Sequence, residues 1–361
     1  VKVLFIGPYR QQDGWGQSAR SLISSLLTTD VDLSLRPLYL ARTPMIESSI
    51  YDILERKTDK YDVIIQNCLP EQFSYYHGSK NIGFFCSETH NLQFTPWITS
   101  CNLMDEIWTH STIEKEELIK SGAEIPVYSI GGSIDIAKFQ NPPERKFTEN
   151  FIFYFIGGGE RKNVNALITA FHREFDRCEP VELVLKITGQ DQQTINDITE
   201  FKRKLAIYPH VEQYKTEQII PNYLSESQID ELHVNCDCFV CPSHGEAWCY
   251  PALDALGFGN TPIISSFTGM TDFITHQNGY HIATIQVPVI CQNRPLQYIY
   301  TAREYWMEPS ILHLQDLMRK AYNNKINKTL EYKEKIEQGK KDIQYYSHKN
   351  TGKRLNDILC A

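Results

Sequence analysis

No stretch of the 361 residues approaches the roughly 18 consecutive apolar residues of a membrane-spanning helix. No transmembrane segment is therefore predicted. Tandem repeats and low-complexity tracts are missing as well. Metal signatures are scarce: no His-Glu-x-x-His occurs, and the Cys238-x-x-Cys241 pair has neither a second pair nor paired histidines beside it. The Asp30-Val-Asp32 triplet precedes an early strand, far from the loops discussed below, so no metal site is assigned. The opening VKVLFIG is too short in its apolar run for a secretory signal and reads as a buried strand.

What is present is the composition of a soluble globular chain, 42% hydrophobic and 22% charged, with a net charge of −8. Disorder as the main state is excluded. Cys68, Cys86, Cys238 and Cys249, four of the ten cysteines, lie in or beside apolar runs. They read as buried free thiols, which suits a reducing cytoplasm. Charge is unevenly spread: residues 319–354 hold 11 Lys/Arg against 4 Asp/Glu, net +7, leaving −15 for the rest. A solvated amphipathic helix accounts for this stretch. A surface for a membrane or a nucleic acid is the alternative, disfavoured by the acidic remainder.

Short apolar strands alternate with helical patterns along the whole chain. VKVLFIG, VDLSLRPL, YDVIIQN, NIGFFCS, DEIWTHS and PVYSIGG follow one another at similar intervals, with a helical repeat from Ser18 to Leu27. This is the rhythm of a parallel, doubly wound sheet. NPPERKFTE, residues 141–149, is Pro-rich, charged and aperiodic, and reads as a linker. A second series then begins with FIFYFIG. Val164, Leu167, Ile168, Phe171 and Phe175 mark one face of the next helix, and CDCFVCPS, NTPIISS and GYHIA are further strands. The fold class is thus α/β, two doubly wound Rossmann-like domains facing across a cleft. The expected boundaries are 1–145, 146–325, and a C-terminal helical segment 326–361 returning to the first domain.

Ligands of open parallel sheets bind at the carboxyl ends of strands, so two strand-to-helix loops stand out. In GGGERKNV, Gly158 and Gly159 leave backbone N–H groups bare, Arg161 and Lys162 add charge, and Asn163 suits a helix N-cap. The loop fits a diphosphate, or equally an ordinary turn with two solvated cations. In PSHGEAWCYPALDALGFG, Pro251 suits a helix start, and the amides of Ala247, Trp248, Cys249 and Tyr250 would point toward a second part of the same ligand. Glu246 lies in this loop and Asp254 one turn into the helix, on the cleft side. A carboxylate that accepts two hydroxyl hydrogen bonds reads a sugar diol; an acid near a helix N-terminus is also stabilising in itself. Gly14-Trp-Gly16-Gln-Ser-Ala19 fits a dinucleotide fingerprint in outline, but starts late after its strand, and the acid expected at the end of the second strand is missing.

Together these segments resemble the retaining, GT-B-fold glycosyltransferases of the group 1 type. Their hallmark Glu-x7-Glu is here Glu246-AWCYPAL-Asp254, with Asp for the second Glu. FFCSETHNLQFTPWITSCNLMDEIWTHS and YWMEPSILHLQDLMRKAY are similar to stretches of one branch of these enzymes, so the resemblance covers nearly the whole chain. It implies transfer of a sugar from a UDP-, GDP- or ADP-sugar to an acceptor hydroxyl, with the acceptor a glycan or another hydroxyl compound, and no cofactor or metal. It implies that Glu246 contacts the donor sugar and Asp254 the ribose. Arg161 and Lys162 match the diphosphate clamp in shortened form, with Lys162 the safer assignment. Gly16 would meet the donor phosphates across the cleft, and His90 in Ser-Glu-Thr-His would lie near the reacting carbon. The Glu-to-Asp departure keeps open a non-catalytic subunit that binds nucleotide sugar or glycan. The basic C-terminus keeps open an enzyme acting on a modified nucleic-acid base.

Overall fold

The computed structural model describes residues 1–56, 60–187, 191–290 and 300–360. Two six-stranded sheets, parallel at every pairing, organise it. The first holds β1 (Lys2–Gly7), β2 (Asp32–Pro37), β3 (Val63–Asn67), β4 (Lys80–Phe84), β5 (Glu106–Thr109) and β6 (Val127–Ser129), in spatial order β2-β1-β3-β4-β5-β6. The second holds β7 (Phe151–Ile156), β8 (Val181–Lys186), β9 (Gln218–Ile220), β10 (Cys238–Cys241), β11 (Ile263–Ser265) and β12 (Tyr280–Ile282), in the order β12-β11-β10-β7-β8-β9. A two-stranded antiparallel ribbon, β13 (Thr284–Pro288) with β14 (Tyr305–Pro309), stands apart from both. The order reverses between β1 and β3 in the first sheet and between β7 and β10 in the second. Those are the switch points where loops diverge and leave a crevice.

The helices are α1 (Gly14–Leu26), α2 (Ser49–Leu54), α3 (Trp97–Cys101), α4 (Thr112–Lys120), α5 (Val164–Glu174), α6 (Asp191–Leu205), α7 (Glu226–Asn235), α8 (Tyr250–Gly257), α9 (Ile311–Ile326), α10 (Leu330–Asp342) and α11 (His348–Leu359). Strands covered on both faces need apolar side chains on both. Accordingly, Phe153 and Phe155 of β7 pack with Phe171 and Phe175 on the α5 side, while Tyr154 joins Phe239, Leu253 and Leu256 on the α8 side. The first sheet buries Val3, Phe5, Ile65, Phe84 and Trp108 against Leu22, Ile23 and Leu26 of α1.

Local signals set the helix starts. Asp13 caps α1, its Oδ1 accepting from the Gly16 N–H at 2.8 Å. The helix therefore begins at Gly14 and not at Ser18, and the Gly-Trp-Gly segment is its first turn. Ser111 and Glu114 form a capping box on α4. The C-terminal stretch crosses back: Leu355 and Leu359 of α11 join the first sheet's core. Gly352 permits the approach, since a Cβ there would lie 2.4 Å from the Ser25 carbonyl oxygen of α1. Several cations of the basic stretch are structural. Arg319 binds Glu174 and Glu179, Lys320 binds Glu331, and Lys325 binds Asp237.

Candidate active site

At the switch point of the second sheet, the loops after β7 and β10 converge. Gly159 takes φ +81°, and a Cβ there would meet nothing within 4 Å. This is a backbone that favours glycine and leaves room above it; Gly158 beside it is exposed as well. The chain then makes one short turn over Glu160–Lys162, and Asn163 caps α5 through its side chain. The β10 loop is laced to this turn: the His244 N–H donates to the Arg161 carbonyl at 2.9 Å, and the Ser243 hydroxyl donates to the same oxygen at 3.1 Å.

Four charged side chains meet where the loops join. Lys162 Nζ lies 2.7 Å from Glu246 Oε1, and the Arg161 guanidinium lies 3.0 Å from the same oxygen. Arg161 also reaches Glu88 of the first domain, at 3.2 Å. Glu246 is buried. Burial pushes its carboxyl up, but the Lys162 and Arg161 charges outweigh this and hold it below its ordinary value. Burial lowers Lys162, and Glu246 more than compensates, so its ammonium is held above its ordinary value. Both cations stay charged at neutral pH.

The rest of the β10 loop turns toward the first domain. Ala247, Trp248, Cys249 and Tyr250 are all buried. Cys249 holds φ +75° where the chain enters α8. The N–H groups of Ala247, Trp248 and Cys249 donate no hydrogen bond among the described residues. The Trp248 indole packs on Phe273 and Tyr346, with centroids 4.7 and 5.4 Å away, and its Nε1 is buried without a partner among the described residues. Gly132 makes room for this ring: a Cβ there would sit 2.3 Å from Nε1.

Asp254, expected one turn into the helix on the cleft side, follows in α8, and its carboxylate is already engaged. It is buried, with Oδ1 2.5 Å from Lys138 in the segment joining the two sheets. Burial raises it to about 6 against the pull of Lys138. Gly16 is also differently engaged, because its N–H is already taken by Asp13. Neither residue lies in the Glu246 cluster.

His90 does reach that cluster's neighbourhood. Its backbone pairs with Tyr305 of β14 through two hydrogen bonds, and its Nδ1 lies 3.5 Å from Glu117. Together with Glu88, Gly245 and Glu246 it lines a cavity of only about 10 Å³ between the domains. Gly245 fixes that closeness: a Cβ there would lie 1.9 Å from the Glu88 carbonyl oxygen.

Three participants were not singled out from the sequence. Glu88 reaches Arg161 from the first domain. His110, at the carboxyl end of β5, bonds Ser18 at 2.9 Å and faces the Trp248 and Tyr250 rings. Burial drives its imidazole down to about 3, so it is neutral. His244 stacks on Trp306 at 4.3 Å and bonds Glu308 at 2.8 Å, which braces the β10 loop from β14. The strand-end rule could have flagged His110 and Glu88; nothing in the sequence pairs His244 with β14.

Residues 136–288 match the family model of glycosyl transferases group 1. By sequence, no curated protein matches the chain. Solved structures of similar shape include a glycosyltransferase from Rickettsia africae, 12% identical over 99% of this chain and 97% of that one, with a TM-score of 0.67. The Anabaena protein HepE, solved with UDP and glucose, is 12% identical over 100% of this chain and 99% of its own, with a TM-score of 0.66. Sucrose-phosphate synthase from Thermosynechococcus elongatus is 11% identical over 99% and 98%, with a TM-score of 0.67. The two facing Rossmann-like sheets give the chain the GT-B fold of these structures, and the segment that carries the β7 and β10 loops is similar to the group 1 glycosyl transferases.

Proposed function

We propose that the enzyme moves a sugar from a nucleotide-diphosphate donor to an acceptor hydroxyl, a glycan in the first instance, with retention at the anomeric carbon and without metal. The observation that carries this is the buried Glu246, Lys162 and Arg161 cluster at the β7/β10 switch point. Such a transfer separates an oxocarbenium-like sugar from a diphosphate that gains negative charge. Lys162 and Arg161 stabilise that charge, aided by the N–H groups at Gly158, Gly159 and Ala247 to Cys249. Glu246 orients the sugar hydroxyls. His90 and Glu88 enter from the acceptor domain, with His90 beside the reacting carbon. Asp254 holds the ribose through Oδ2 while Lys138 keeps Oδ1. Gly16 and the α1 start close over the phosphates from the opposite side. HepE, solved with UDP and glucose, supports a UDP-sugar as the first donor to test.

Two cations and two carboxylates sum to zero in this cluster. Only Glu88 belongs to the first domain, so parting the domains leaves a net +1 ready for the donor. Closing again brings Glu88 and His90 to the sugar. No helix among the described residues is long and apolar enough to cross a membrane. The nine described cysteines are free, which supports a reducing, cytoplasmic setting.

The test is calorimetric titration with UDP, UDP-glucose and the GDP- and ADP-sugars, beside a transfer assay with EDTA. Activity that survives EDTA is expected. In Glu246→Gln, nucleotide binding should persist while transfer collapses. Loss of nucleotide binding in that variant, or activity restored only by Mn²⁺, would overturn this reading.

A further inference from the structure

A second cavity lies at the opposite end of the second sheet. Its volume is about 250 Å³, and its walls include Arg145, Lys325, Lys340, Phe139, Phe258 and Tyr332. Asp237, immediately before β10, marks its position at the amino-terminal edge of the strands, away from the Glu246 cluster. No carboxylate is among the lining residues. Asp237 sits behind the wall with its side chain 1% exposed, bound to both Arg145 and Lys325. One carboxylate against two cations leaves +1. Lys340 adds another charge, since it is exposed and makes no hydrogen bond or ion pair among the described residues. The cavity thus carries about two uncompensated positive charges, from Arg145, Lys325 and Lys340 together.

We infer that this cavity binds a small phosphomonoester of sugar size. A phosphomonoester brings close to two negative charges at neutral pH, which matches the imbalance. Its volume equals roughly eight water molecules at about 30 Å³ each. That suits a phosphorylated monosaccharide. Phe139 and Phe258 meet edge to face at 4.9 Å, and together with Tyr332 they give the cavity an aromatic wall. Phe139, Pro142 and Arg145 come from the segment that joins the two sheets. Gly257 to Asn260 follow the end of α8, whose other end opens the donor loop. A ligand here would bridge the inter-domain segment and the helix behind the donor site.

The chemistry fits a free sugar phosphate or a phosphomonoester headgroup on a lipid surface, and two arms separate them. One is calorimetric titration with a hexose 6-phosphate, and the other is sedimentation with vesicles containing phosphatidic acid. Both use the wild type, Lys340→Ala, Lys340→Arg and, to isolate the donor site, Lys162→Ala. In whichever arm binds, Lys340→Ala should weaken affinity about tenfold or more, the loss of one charge-assisted hydrogen bond. Lys340→Arg should retain it, and Lys162→Ala should leave it unchanged. Sugar transfer by Lys340→Ala without added phosphomonoester should equal the wild type. Binding that disappears in Lys162→Ala would assign the ligand to the donor site and overturn the inference. So would equal affinity in Lys340→Ala and wild type, or no binding in either arm at about millimolar phosphomonoester.

Discussion

Lys162→Ala removes the ammonium nearest the centre of the cluster, 2.7 Å from Glu246 Oε1. Two effects follow, and they can be separated. Glu246 keeps Arg161 at 3.0 Å, so its charge is not orphaned. The stability cost is then that of one charged hydrogen bond, about 2 kcal/mol. In a two-domain chain of this size that shifts the melting midpoint by about 4–8 °C. On the proposed reaction the catalytic cost is larger, because negative charge would grow on the leaving diphosphate within reach of the missing ammonium. Loss of one such preorganised partner lowers kcat about 10²–10³-fold, or about 2.7–4 kcal/mol of barrier. Lys162→Arg keeps the charge in a different shape and should fall between. The double variant Lys162→Ala/Glu246→Gln relieves the charge imbalance; its melting midpoint should partly recover while transfer stays low. The assay is single-turnover transfer at saturating donor, beside thermal melts of all four proteins. A Lys162→Ala enzyme that transfers sugar at the wild-type rate would refute the leaving-group assignment, whatever its melting point.

Three further outcomes follow from particular contacts. Gly245→Ala places a methyl group 1.9 Å from the Glu88 carbonyl oxygen across the cleft. The domains should be held apart, with a larger radius of gyration by scattering and at least about a tenfold loss in kcat/KM; an unchanged scattering curve would contradict the closure contact. Glu114 is buried and accepts the N–H groups of Ser87, His110 and Ser111 at 2.6, 3.0 and 3.1 Å. Glu114→Gln turns an amide NH2 toward those donors and should cost about 1–3 kcal/mol in chemical denaturation; a stability equal to wild type would count against this network. Asp254 is raised by burial to about 6 in the folded protein, above the roughly 3.9 of an unfolded chain. The fold therefore favours its protonated form. The stability this group contributes is fully present below about pH 4 and is lost as pH rises through about 6. Asp254→Asn should remove that slope from denaturation midpoints measured across the interval, and identical slopes in variant and wild type would contradict the assignment.

Much of the architecture could be read in the sequence. The apolar runs FIFYFI and CFVC become central strands because a parallel sheet buries both faces, and that requirement leaves a continuous signature. Asn163 caps its helix as its side chain suggests. The ribbon of β13 and β14 was not legible: Thr284–Pro288 is largely exposed, so it lacks a buried strand's apolar signature. The helical pattern is readable only from Ser18, four residues inside α1, since Asp13 and two glycines have the composition of a loop and the Asp13 bond to Gly16 is visible only in the fold.

Which residues stand at the carboxyl ends of β7 and β10 follows from strand period and loop composition, which are local properties of the sequence. Arg161, Lys162 and Glu246 could be nominated on that basis. How their charges are shared is a matter of long-range packing. Whether Glu246 faces Lys162, whether Glu88 arrives from the first domain and whether Lys138 claims Asp254 depend on how the two sheets are set against each other. The sequence separations are 84 residues for Lys162 and Glu246, 73 for Glu88 and Arg161, and 116 for Lys138 and Asp254. No periodicity extends over such distances; chain reversal and burial fix these partners, and with them the protonation of each group.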